Sequence, residues 1–116
     1  MRGEIDDNFE KNTPKGKGSV SRTMTLQKAV DMGEYDPHFL ANFAEWHELT
    51  SMMRWNYVRQ AIKNRKRFLL MQWAEITNVL DLSQKPQLKE ALKNIEKQQA
   101  KVGQDEEKLQ IEFAKG

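Results

Sequence analysis

The chain has 116 residues, with 19 Lys+Arg against 17 Asp+Glu and no cysteine, which bounds it to one small domain and excludes a disulfide scaffold, thiolate-bound zinc, iron–sulfur clusters and a thiol nucleophile. Apolar residues are 38% and charged residues 31%, so folding buries only about 60–65% of the unfolded surface around a modest core. No apolar run approaches the roughly 18–20 residues that span a bilayer, and Met1 to Glu10 holds four acids and no hydrophobic stretch, so the expectation is a cytoplasmic protein without membrane contact.

Residues 1–22 read as a flexible polar tail. The stretch Asn12-Thr13-Pro14-Lys15-Gly16-Lys17-Gly18-Ser19 has no apolar side chain to offset the backbone entropy lost on ordering, about 1–2 kcal/mol per residue. Its Gly-Lys-Gly-Ser end resembles a phosphate loop only superficially. The Walker pattern needs a glycine five positions before its lysine, where Asn12 stands, and no strand precedes it.

Residues 23–116 read as a single helical domain. Thr25 can cap a helix over 26–32, with Gly33 as its stop. Asp36 and Pro37 open a second helix over 37–44, with Tyr35 and Leu40 at the spacing of a hydrophobic staple. The pattern leaves open whether this helix stops there or runs on through Glu45-Trp46-His47. A long helix follows over about 46–80. Its heptad places Trp55, Ile62, Leu69 and Ile76 at a, and Val58, Arg65, Gln72 and Val79 at d. After Asp81 to Lys85, Pro86 opens a second long helix over about 86–113. Here Leu88, Ile95, Val102 and Leu109 take d, and Leu92, Gln99, Glu106 and Phe113 take a. So short a link makes the two an antiparallel hairpin.

An antiparallel pair sets a against d, which fixes a register. Val79 then faces Leu92, Ile76 faces Ile95, Leu69 faces Val102, and Val58 faces Phe113. The polar exceptions meet in the same register: Gln72 faces Gln99 and Arg65 faces Glu106. Sliding by one heptad leaves a polar group facing an apolar one, at about 1–3 kcal/mol for each buried mismatch. These polar layers would therefore set the register. Gly103 weakens the second helix by about 1 kcal/mol relative to Ala, so its end is expected to fray past Val102. The whole reads as an all-α, coiled-coil-like hairpin, with the short helices packed near its turn end through Leu26, Val30, Phe39, Leu40 and Phe43.

Catalytic signals are weak. His47-Glu48-Leu49-Thr50-Ser51 starts like a zinc-protease motif, but Ser51 stands where the second histidine is needed. No Gly-x-Ser-x-Gly elbow occurs. The acids around Asp105, Glu106 and Glu107 have no expected cleft to perturb them. The reading is a non-enzymatic protein with no metal and no cofactor.

Charge patterning is more informative. Residues 23–53 carry one base and five acids, whereas 54–80 carry six bases and one acid. This is either internal complementarity or a basic surface for an outside polyanion. Arg59, Lys63 and Arg67 form a stripe at four-residue steps, with Lys66 beside it and Asn56, Gln60 and Asn64 interleaved. Lys85, Lys89, Lys93, Lys97 and Lys101 form a second row. The expected function is docking on a larger protein or ribonucleoprotein assembly through this basic face. The alternative is direct binding of RNA or DNA by the same residues. A third reading is self-association through leftover seam surface as a homodimer.

Overall fold

The computed structural model describes residues 24–115, so the tail expected over 1–22 lies outside the described residues. Every regular element described is helical: α1 (Leu26–Asp31), α2 (Pro37–Leu40), α3 (Ala44–His47), α4 (Ser51–Thr77) and α5 (Pro86–Ala114), with a 3₁₀ turn over Leu82–Gln84 before α5.

The short helices start as their capping residues direct. Thr25 Oγ1 accepts from Lys28 N at 3.1 Å, and Asp36 Oδ1 accepts from His38 N at 3.0 Å, with Pro37 opening α2. Helix α1 ends in a Schellman arrangement: Gly33 N donates to Val30 O at 2.9 Å and Glu34 N to Ala29 O at 3.0 Å. Gly33 sits at φ +86°, and a Cβ there would lie 3.1 Å from the Arg65 backbone. Glycine is needed both for the left-handed turn and for the close approach to α4.

Two boundaries differ from the sequence expectation. The second short helix stops at Leu40, and a separate turn, α3, follows because Phe43 is extended at φ −93°, ψ 133°. The long helix starts at Ser51 rather than near Trp46. Thr50 is extended, and its hydroxyl accepts from Met53 N at 3.2 Å, which caps α4 afresh. At the other end α4 stops at Thr77, and Asp81 in the left-handed region (φ 56°) redirects the chain into the 3₁₀ turn.

Helices α4 and α5 pack against each other. Trp55 stacks on Phe113 with ring centroids 5.2 Å apart, Lys66 pairs with Glu106, and Trp73 Nε1 donates to Glu96 at 3.1 Å. Residue numbers rise on one helix as they fall on the other, so the two run antiparallel. The observed neighbours lie within three residues of the expected register, but its polar pairings change, as described below.

The core joins Leu26, Ala29, Val30, Leu40, Phe43 and Trp46 to Val58, Ala61, Ile62 and Leu69 of α4 and to Ile95 and Val102 of α5. The short helices thus pack on the first half of α4, not near the turn end as the sequence suggested. Only residues 48–50 join α3 to α4, and helices of four to six residues rise only about 6–9 Å. They have no reach to a turn about 40 Å along α4.

Candidate docking face on helix α4

Three sides of α4 have different neighbours. One side lies on α5. A second receives the short helices, and it does so by capping their carbonyls. Asn64 Nδ2 donates to Val30 O at 2.9 Å, Arg65 Nε to Gly33 O at 3.1 Å, and Arg54 Nε to Trp46 O at 3.0 Å. Val30 O and Trp46 O, which already accept from Gly33 N and Leu49 N, gain a second donor from α4, and Gly33 O takes its donor there. The Arg54 guanidinium also lies 5.2 Å from the Trp46 ring centroid, and His47 Nε2 meets Ala41 O at 2.6 Å at the end of α2.

The third side of α4 is free. Met52, Asn56, Arg59, Lys63, Arg67 and Leu70 follow one another at steps of three or four residues, which keeps them on one stripe. All six are exposed. The Arg59 guanidinium lies 6.0 Å from the Trp55 ring centroid and that of Arg67 5.3 Å from Phe68, so each cation rests against a neighbouring ring. Among the described residues neither these two nor Lys63 forms an ion pair with a carboxylate. Beside the stripe, Gln27, Met53, Asn56, Tyr57 and Gln60 line a shallow groove of about 290 Å³.

The other basic residues are placed elsewhere. Lys66 is occupied by Glu106. Lys89, Lys93 and Lys97 are exposed on α5. Lys93 and Lys97 each lie two residues from Ile95, about 200° around the helix and so on the side away from the seam. They do not join the α4 stripe. Gln60 donates to Asn64 Oδ1 at 3.3 Å, and Asn64 is buried beneath α1 rather than displayed with the stripe.

Both expected polar layers are corrected. No ion pair joins Arg65 to Glu106. Arg65 turns toward the α1 end, where Glu34 Oε1 lies 3.4 Å from Nη2, because the carbonyl of Gly33 and this carboxylate are nearer than the seam. Gln72 is exposed, Gln99 is half-buried, and no hydrogen bond joins them. That part of the seam stays open to solvent, so neither amide needs a protein partner.

One cluster had no signal in the sequence. Tyr35 Oη donates to Asp105 Oδ2 at 2.6 Å across 70 residues of chain, and Lys101 Nζ donates to the same oxygen at 2.9 Å. Burial pushes the Tyr35 hydroxyl far above its usual range, and the bond to Asp105 adds to this. The Lys101 ammonium, then the Tyr35 hydroxyl, hold the Asp105 carboxyl below its usual range. An open groove of about 750 Å³ lies beside the cluster, its lining mixed in charge between Arg65, Lys101 and Lys108 and Glu34, Asp36 and Glu112. Among the described residues no three His, Asp or Glu side chains gather as a metal site, and no helix is long and apolar enough to cross a membrane.

No family model matches the sequence, and no curated protein or solved structure matches it.

Proposed function

We propose that this chain is a non-enzymatic docking protein, a helical hairpin that binds an acidic surface of a larger protein or ribonucleoprotein assembly through the free side of α4. The observation that carries the reading is that, among the described residues, Arg59, Lys63 and Arg67 on the 27-residue α4 have no carboxylate partner. Carboxylates pair with Arg65 and Lys66, and Arg54 spends its guanidinium on the Trp46 carbonyl and ring. Apolar side chains bracket the cations: Met52 is 73% and Leu70 57% exposed. That mixture favours a protein surface over a phosphate backbone, since nucleic-acid interfaces are more polar and more uniformly cationic. Adjacent Met52 and Met53 suit an adaptable contact.

Affinity capture from native lysate, with and without nuclease, tests the reading. The wild-type chain is expected to retain a partner after nuclease, and R59E/K63E/R67E to lose it. A triple variant that captures the same partner removes the stripe from the interface. Direct binding of RNA or DNA is the second reading, favoured by the four-residue spacing of the three cations. It predicts a log–log salt slope of about −2 on a single strand for three phosphate contacts. A flat salt response with no retention on heparin rejects it.

A further inference from the structure

The cations of the α4 stripe have a complement in this chain's own sequence. Residues 4–10, Glu4-Ile5-Asp6-Asp7-Asn8-Phe9-Glu10, hold four acids and no base, with Ile5 and Phe9 among them. The stripe has the opposite charge and the same mixture: Arg59, Lys63 and Arg67 stand between Met52 and Leu70, all exposed. Among the described residues no carboxylate pairs with the three cations. Residues 4–10 lie outside the described residues and are tethered to the site by the chain itself.

Chain length brings them within reach. The structure describes the chain from Met24 on, three residues before Gln27, and Gln27 lines the groove of about 290 Å³ with Met53, Asn56, Tyr57 and Gln60. Asn56 belongs to the stripe, so the chain enters the described fold beside the start of the stripe. The 13 residues 11–23 span at most about 43–47 Å. The stripe from Asn56 to Arg67 is only about 17 Å long. A tether of this length presents residues 4–10 at an effective concentration on the order of millimolar, with which any outside acidic partner has to compete.

We propose that residues 4–10 fold back over the docking stripe and cover it, with Phe9 in the groove beside Tyr57 and the acids along Arg59, Lys63 and Arg67. An extended segment rises about 3.3 Å per residue and a helix about 1.5 Å. With Phe9 level with Tyr57, Asp6 therefore comes level with Lys63 and Glu4 with Arg67. The bases Lys11, Lys15, Lys17 and Arg22 fall on the tether side, behind Phe9. The contact is autoinhibitory, because a partner has to displace it. That consequence rests on the docking reading of the stripe, and the contact itself does not.

Carbodiimide coupling of the full chain tests the contact, since it joins a lysine to a carboxylate only where the two touch. The Lys66–Glu106 pair is the internal control. Peptide mass spectrometry on mixed unlabelled and ¹⁵N-labelled chains tells coupling within one chain from coupling between two. In the wild type Lys63 is expected to be joined to Asp6 or Asp7 of its own chain. In R59E/R67E that product is expected to be lost, with Lys66–Glu106 coupling and helical circular dichroism retained. A Lys63 left uncoupled in the wild type, coupled only between chains, or still coupled in R59E/R67E overturns the proposal. So does coupling of the four acids to Lys11, Lys15 or Lys17 alone. A fluorescent peptide of residues 1–11, standing in for an acidic partner, tests the covering. By anisotropy it is expected to bind E4Q/D6N/D7N/E10Q several-fold more tightly than wild type, and I5S/F9S, whose charge is unchanged, more tightly as well. Wild-type affinity in either variant overturns the covering. Neither measurement involves the docking partner, so a stripe variant that still captures its partner sinks the docking reading while the Lys63 coupling stands.

Discussion

Asn64 is 5% exposed and surrounded by the core, and it stays there because its amide closes the end of α1 at Val30 O. Removing the amide leaves Val30 O with only its bond from Gly33 N, so Asn64→Ala is expected to lower unfolding free energy by about 0.5–1.5 kcal/mol in chemical denaturation. A loss below a few tenths would mean that the bond from Gly33 N suffices for this carbonyl. The Tyr35–Asp105 contact makes a prediction in pH. The Asp105 carboxyl titrates lower in the folded chain than in the unfolded one. Its stabilisation is therefore complete above the unfolded carboxyl range, near pH 4, and is lost as pH falls through the folded value. The Tyr35 hydroxyl titrates higher when folded. Its contribution is complete below about pH 10 and is lost as pH rises further. Asp105→Asn is expected to flatten the acid limb of a stability–pH curve, and Tyr35→Phe the alkaline limb. Limbs that match wild type would place the contact outside the folded state's titration.

Among the elements, the caps at Thr25, Asp36 and Pro37 were legible because each acts within three residues, and so were the two long helices, whose apolar spacing repeats over many turns. The break before α4 was marked by Thr50, a strong N-cap, but the apolar periodicity through Trp46 masked it. Arg65 shows where two-helix reasoning fails. A heptad assigns it to the partner helix, whereas the carbonyl of Gly33, on a third element 32 residues away, claims its side chain. The exposed stripe could be seen in sequence as a spacing. Its lack of carboxylate partners could not, because that depends on which acids α1 and α5 bring near. Helix α5 runs unbroken to Ala114 where fraying was expected, and Phe113 on Trp55 anchors its end. Gly103 lies within it with open space around its missing Cβ. Gly103→Ala is expected to stabilise the chain by about 0.5–1 kcal/mol, read as a higher denaturant midpoint at unchanged slope. A lower midpoint would show that something approaches this point of the helix after all.

At the scale of the whole molecule, the chain is a slab 18 Å in its thinnest dimension, close to two layers of helix at about 8–10 Å each. Its two halves differ in what holds them. Around residues 54–69 of α4 and 95–105 of α5, the short helices close a core and bond to α4 by three side chains. The turn half has only the seam, with Trp73 bonded to Glu96 as its cross-link. Local opening follows buried contact, so the halves should not open together. Backbone amides of 70–77 and 86–94 are expected to exchange with deuterium well before those of 58–69 and 95–102. Hydrogen exchange read by mass spectrometry on short peptides separates the two segments. Equal protection along all of α4 would show that the hairpin opens as one unit, so that the short helices stabilise the far turn through the helices themselves.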